Sequence, residues 1–261
     1  MSERNLGLSS VASQGVSSPQ SVVFCDFDGP IVDVSERYYQ TYQKGMQVFE
    51  VLYRQETCQP LAVTLLTKQQ FWALKQRRVA DIEIATCSGV PAAWFTFYMQ
   101  QVERLVNHPN LLRWDRLQPS VPAALRHFRQ ANMRLVLVTL RHARQVNAFL
   151  RSQGLIHLVD EVYGASTMMA AHENRVEQKR ALLEKAIAQQ QTQGYLTQNS
   201  WMIGDTEADV LAAKAMDLPS AALSCGVRGA EYLRALEPTQ IHCELLSAAQ
   251  SVVELSGLQA A

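Results

Sequence analysis

The segment Cys25-Asp26-Phe27-Asp28-Gly29-Pro30-Ile31-Val32-Asp33 sets two carboxylates two residues apart at the end of the apolar run SVVFCDFD, residues 21–28. Side chains alternate along a strand, so Asp26 and Asp28 project to one side, beyond the carboxyl edge of a sheet. Two carboxylates there repel and desolvate one another unless a cation joins them, and an all-oxygen ligand set suits Mg²⁺. A strand end with incidental acids explains the same residues. A second acidic pair closes the segment Met202-Ile203-Gly204-Asp205-Thr206-Glu207-Ala208-Asp209. Asp205 and Asp209 stand four apart, on one face at the start of a helix, where acids also suit the dipole and Asp or Thr also serves as an N-cap. Parallel strands would bring Asp205 to the edge that holds Asp26 and Asp28, and ligands bind at that edge in open α/β sheets.

Two further residues fall where an anion would need them. Thr139 closes the apolar run MRLVLVTL, residues 133–140, where a hydroxyl and the amides of a following helix hold phosphate oxygens; a plain helix cap is the alternative. Lys179 lies near the start of the amphipathic stretch EQKRALLEKAI, 26 residues before Asp205, although a helical lysine is ordinarily solvated.

These residues need a scaffold, and the chain supplies the pattern for one. Apolar runs at 21–28, 133–140, 158–165, 200–205 and 220–226 read as buried strands. Between them Val121, Leu125 and Phe128 share a helical face, as do Val146, Phe149 and Leu150, then Leu182, Leu183 and Ile187, then Val210, Leu211 and Lys214. Strands alternating with helices imply an α/β fold with a parallel, Rossmann-like sheet. More than a hundred residues separate the first strand from the second, whereas a βαβ unit takes roughly 30. That gap has helical patterning of its own, over Tyr38 to Tyr53, Lys68 to Ile84 and Ala92 to Val106. It reads as a helical domain, residues 35–114, inserted into an α/β core formed by 21–34 and 115–261. The QQQTQ tract at 189–193 either prolongs a helix or forms a loop.

Composition bounds the rest. In 261 residues, 48% are hydrophobic and Lys plus Arg equals Asp plus Glu at 24 each. The chain can bury a core, and it has no global positive field to gather nucleic acid. No apolar run reaches the roughly 18 residues of a membrane span. Residues 1–20 lack the apolar stretch of a secretory signal and read as a flexible leader. The five cysteines form no C-x-x-C pair, which fits reduced thiols in a cytoplasmic protein. Oligomeric state is open.

In this order the four pieces resemble the haloacid dehalogenase superfamily of phosphohydrolases: D-x-D at Asp26 and Asp28, Thr139, Lys179, and G-D-x-x-x-D at Gly204, Asp205 and Asp209. The resemblance spans residues 21 to about 226, and the opening DFDGPIVDVS is similar to that of the subclass with phosphoglycolate phosphatases and a helical cap. It implies a nucleophile at Asp26 and a general acid and base at Asp28. It implies Mg²⁺ held by Asp26, the backbone carbonyl of Asp28 and Asp205, with Asp209 bonding through water or orienting the site. Thr139 and Lys179 would neutralise phosphate oxygens, and Gly29, Thr139, Arg141 and Lys179 would meet the substrate, a small phosphorylated metabolite. The second aspartate argues against dehalogenation, since a halide leaving group needs no acid. Pro30, Leu140 and the Arg180 that follows Lys179 depart from the family pattern. Lys185 is a rival for the lysine's role. Arg141 and His142 stand where Leu140 leaves a polar contact missing, although their plainer reading is exposed residues at a helix start. Arg37, Lys44, Arg77 and Arg78 read first as solvated, the 86–91 loop as a specificity loop or a plain turn, and His108 and His127 as structural. A phosphomutase, or a noncatalytic module that keeps the phosphate and metal sites, would retain the same motifs.

Overall fold

A computed structural model describes residues 20–167 and 170–257. The leader read at 1–20 lies, apart from Gln20, outside the described residues. The chain begins with β1 (Ser21–Cys25) and β2 (Val32–Asp33), then enters a helical stretch: α1 (Ser35–Thr57), α2 (Lys68–Gln76), α3 (Asp81–Cys87), α4 (Phe95–Val106) and α5 (Pro109–Leu112). It returns through β3 (Arg116–Leu117) into α6 (Val121–Gln130), β4 (Arg134–His142), α7 (Ala143–Ser152), β5 (Glu161–Ala165), α8 (Ala170–Glu173) and α9 (Val176–Thr192). The remainder is β6 (Leu196–Gly204), α10 (Glu207–Ala215), β7 (Ser220–Leu223), α11 (Ala230–Ala235), β8 (Gln240–His242) and α12 (Leu245–Leu255).

Among the described residues, six strands form a parallel sheet in the order β5-β4-β1-β6-β7-β8. Both faces are covered, which is why its strands read as continuous apolar runs. Val23 and Cys25 of β1 pack against α6, α7 and α12. Val22 and Phe24 pack against α9 and α10 on the opposite face. The chain steps from β1 toward β4 and β5, then reverses to β6 on the other side of β1, so the switch point of the sheet lies at β1. Cys25 pairs in register with Leu137 of β4 and Ile203 of β6. Asp26, Thr139 and Asp205 therefore emerge at one rim.

The insertion has its own core, in which Tyr42, Met46 and Phe49 of α1 meet Phe71, Ile84 and Tyr98; Trp72, Trp94, Phe95 and Phe97 pack around it. The antiparallel pair β2–β3 joins the insertion to the core, with Val32 opposite Leu117 and Asp33 opposite Arg116.

Several elements differ from the pattern read above. The helix expected over Lys68 to Ile84 is two helices, broken where Arg78 takes φ +60°. The segment from Ala92 starts as a 3₁₀ turn over Ala92–Trp94, and QQQTQ prolongs α9 to Thr192. Thr139 does not close β4: the strand runs on to His142, with its pairing to β5 slipping between Thr139 and His142. The short strands β2, β3 and β8 offer too few residues for a periodicity to register. No helix among the described residues is long and apolar enough to cross a membrane.

Candidate active site

β1 ends at Cys25, and the next residue already points its chemistry at the rim. The Asp26 amide donates to Ile203 O (2.8 Å), fastening the turn to β6, while Asp26 Oδ1 accepts from Phe27 N (2.7 Å). Lys179, in the first turn of α9, is 1% exposed, with Nζ 2.9 Å from Asp26 Oδ1 and 2.7 Å from Asp209 Oδ1. Lys185 lies on the exposed side of α9. The rivalry between the lysines thus ends in a placement: only Lys179 reaches the acids.

Asp205 and Asp209 divide the two readings offered for them. Thr206 is the N-cap of α10, and Asp209 Oδ2 accepts from the amides of Asp205 (3.2 Å) and Thr206 (3.0 Å) and from Thr206 Oγ1 (2.8 Å). Asp209 is a helix-capping residue whose other oxygen meets Lys179. Asp205 precedes the helix and is fully buried; its Oδ2 accepts from Val227 N (2.6 Å), while Oδ1 has no hydrogen-bond partner. Such a carboxylate is costly to bury unless something else satisfies it. Its seat is made by two glycines: a Cβ on Gly29 or on Gly226 would lie 2.1 Å from an Asp205 side-chain atom. Gly29 also adopts φ +93°, which L side chains rarely tolerate. Its amide is spent on Val32 O (2.9 Å), so Gly29 shapes the site instead of donating to a ligand.

Among the described residues, Asp26, Asp205 and Asp209 bring one carboxylate oxygen each within 4.8 Å of one another. Burial pushes Asp26 up to about 7 even though Lys179 pulls it down, and burial with repulsion from Asp209 and Asp26 pushes Asp205 well above the carboxylate range. Crowded carboxylates of this kind, one with an orphaned oxygen, fit a hard divalent cation with oxygen preference.

Asp28 is absent from that acidic group. Its carboxylate is held by Arg37 Nη2 (2.8 Å) on one oxygen and Arg141 Nη1 (2.8 Å) on the other. Burial raises its pKa, but Arg141 and Arg37 outweigh burial and bring it below the ordinary value. Both arginines also pair with Asp115, closing a four-membered ring of charges. Sequence reading treated Arg37 and Arg141 as solvated; they are 1% and 2% exposed. His142, by contrast, is the half-buried N-cap of α7.

Thr139 is buried, and its Oγ1 accepts from Arg141 N (3.2 Å), leaving its hydroxyl proton free to be donated. Asp26, Asp28, Thr139 and Arg141 line a cleft of about 550 Å³ whose far wall is Tyr38 and Lys75 of the insertion. The 86–91 loop does not reach it: Ser88 is buried, bonded to Tyr42 (2.7 Å), and a Cβ on Gly89 would meet Ala62 O at 2.2 Å. This segment is a packing turn. Lys44 is half-buried and Arg77 exposed. His108 caps α5 through Nδ1, and neither it nor His127 belongs to the acidic group.

Sequence reasoning missed a second cluster. Glu207 takes Arg228 on both oxygens (2.8 and 3.0 Å) and Arg78 of the insertion at 2.7 Å. Arg228 also donates to Lys75 O (3.2 Å), and Gly229 N to Gln76 O (3.0 Å). The signal was the string Gly226-Val227-Arg228-Gly229 directly after a strand, a place where ligand-side loops carry function.

At its switch-point rim the parallel sheet gathers three acids, a buried lysine and a buried threonine of β4, a donor set with which a cation and an anion could be held side by side. Residues 22–223 match the family model described as haloacid dehalogenase-like hydrolase, and the chain belongs to that family. No curated protein matches the chain. Among solved structures it is similar to a haloacid dehalogenase-like hydrolase family protein from Streptococcus pneumoniae (17% identity, TM-score 0.64, covering 89% of this chain and 98% of that one). It is also similar to a predicted phosphatase from Clostridium acetobutylicum (15%, TM-score 0.65, 91% and 100%) and a predicted phosphoglycolate phosphatase from Haemophilus somnus (15%, TM-score 0.60, 89% and 97%). At these identities the likeness is one of fold.

Proposed function

We propose that the chain is a cytoplasmic Mg²⁺-dependent phosphatase that hydrolyses a small soluble phosphate monoester through an aspartyl-phosphate at Asp26. In this reading residues 35–114 form a cap over a core of 21–34 and 115–261. The observation that carries it is the Lys179 ammonium set between Asp26 and Asp209, beside an Asp205 oxygen that nothing else satisfies. Names given to two similar structures, predicted phosphatase and predicted phosphoglycolate phosphatase, agree with it.

Asp26 and Asp205, with the backbone carbonyl of Asp28, would hold the cation, and Asp209 would bond it through water or orient the site. Once bound, Mg²⁺ neutralises charge on the carboxylates and on the phosphate oxygens, so that an anionic nucleophile can approach an anionic ester. An Asp26 oxygen attacks phosphorus in line; the new O–P bond forms as the bond to the substrate oxygen breaks. Thr139 and Lys179 donate to the phosphoryl oxygens, supplying positioning and charge. Asp28 protonates the departing alkoxide, then takes a proton from the water that hydrolyses the aspartyl-phosphate, releasing inorganic phosphate and restoring Asp26. Arg37 and Arg141 now occupy both oxygens of Asp28. A phosphate dianion entering the cleft competes for Arg141, and each pairing that Asp28 loses raises its pKa toward that of a working acid. Gly29 supports this site by making room for Asp205.

The Asp26→Asn variant is expected to abolish phosphate release from 4-nitrophenyl phosphate in Mg²⁺ while its circular dichroism and melting temperature stay near those of the wild type. Undiminished turnover would overturn the nucleophile assignment. Steady release of inorganic phosphate also separates a phosphatase from a phosphomutase, which returns the group to its substrate.

A further inference from the structure

Beside the catalytic cleft the insertion forms a second, partly open cavity, lined mostly by apolar and aromatic side chains as small-ligand sites are. The two spaces share Tyr38 and Lys75 as walls, so the cavity begins where the cleft ends. Its interior is made by Tyr42, Phe71, Ile84, Tyr98, Val102 and Val106. Tyr42 and Phe71 stack with ring centroids 4.9 Å apart, a flat aromatic wall. Three of the polar side chains in its lining are already engaged. Thr41 Oγ1 donates to Arg37 O (2.8 Å), the Tyr42 hydroxyl is engaged by Ser88 (2.7 Å) and by Leu66 N (2.9 Å), and Lys75 pairs with Asp81 at 2.8 Å.

We propose that this cavity receives the alcohol portion of the substrate, and that the enzyme prefers phosphate monoesters of apolar alcohols, alkyl or aromatic, over those of polyols. The proposal rests on the phosphatase reading and names its substrate class. A sugar or nucleoside would bring several hydroxyls into a space walled mostly by aromatic and aliphatic side chains, and each unpaired hydroxyl lowers affinity. An alkyl chain or an aromatic ring gains by leaving water, and Tyr38 marks the threshold between the phosphate and its ester group.

The test is a series of straight-chain alkyl phosphates from methyl to hexyl, assayed in Mg²⁺ by inorganic phosphate release. Leaving-group basicity is nearly constant along the longer members, so the trend reports burial. The expected kcat/KM rises about fourfold per methylene until the cavity is full, and the plateau comes at a shorter chain in Val102→Trp. A flat series in the wild type, or a preference for glycerol phosphate over butyl phosphate, would overturn the proposal while leaving the phosphatase reading intact. Binding of 1-naphthol, followed by its fluorescence, is independent of turnover: saturable binding that weakens at least tenfold in Val102→Trp is expected. Saturable naphthol binding with no hydrolysis of any ester would sink the phosphatase reading and keep the cavity assignment. No saturable binding to the wild type would sink the cavity assignment itself.

Discussion

Replacing Glu207 by Gln removes one negative charge from the joint between insertion and core, and its effect follows from the contacts. The side chain is about 10% exposed and meets Arg228 twice and Arg78 once. Burial raises its pKa, but the hydrogen bonds and charge of Arg228, with a smaller contribution from Arg78, lower it from 4.5 to about 2. A carboxylate lowered in the folded state stabilises the fold above its unfolded pKa, and that contribution is lost as pH falls through the folded value. A fall of this size corresponds to about 3 kcal/mol at neutral pH, in keeping with the roughly 3–5 kcal/mol lost when one partner of a buried ion pair is removed. The assay is urea denaturation of wild type and Glu207→Gln from pH 7 down to pH 2. The expected gap is about 3 kcal/mol at pH 7, narrowing below pH 4.5 and closing near pH 2. A gap that stays constant with pH would show that the ionised carboxylate is not its source, and a gap under about 0.5 kcal/mol would put Glu207 in the class of ordinary surface pairs.

Lys179→Ala is expected to lower kcat by at least about a hundredfold, whereas Lys185→Ala, changing an exposed side chain, stays within about twofold; steady-state phosphate release in Mg²⁺ measures both. Gly226→Ala drives a methyl group into Asp205 and is expected to cost about 1–3 kcal/mol of stability, read by denaturant titration, and to weaken Mg²⁺ binding at least about tenfold, read by calorimetry. Because Asp26 sits at about 7 in the metal-free protein, its protonated form favours the fold below the unfolded pKa and that benefit fades as pH rises through 7. Protons and Mg²⁺ compete for the same oxygens, so the rise in melting temperature caused by Mg²⁺ should be larger at pH 8 than at pH 6. An equal rise at both pH values would detach Asp26 from the cation.

The parts of the fold that were legible in the sequence are those in which one short stretch carries its own signal. β1, β4, β6 and β7 are continuous apolar runs because both faces of the sheet are covered, and Asp26, Asp205 and Asp209 sit next to them by chain order alone. Arg37 was illegible for the opposite reason. On α1 it stands between Glu36 and Tyr38 like any polar helix residue, and its partner Asp115 is held by the far end of the insertion. Arg141 looked like an exposed helix start because β4 runs past Thr139, an extension supported by pairing with β5 and not by the local string. Glu207 and Arg228 likewise meet across a turn and a strand. Long-range ion pairs leave no periodicity behind.

The hairpin pairing of β2 with β3 has a consequence for how this protein can change. The chain leaves the sheet domain at Asp33 and comes back at Arg116, directly across one antiparallel rung, a separation of about 5 Å that a turn of about two to five residues can bridge. Everything between these two points is one continuous excursion of the chain, which also rests on the sheet domain through Arg37, Arg78 and the carbonyls of Lys75 and Gln76. An exchange of that excursion as one piece would leave Asp26, Asp205 and Asp209 in place on the sheet domain, but Asp28 would lose its Arg37 partner and the replacement would have to supply another.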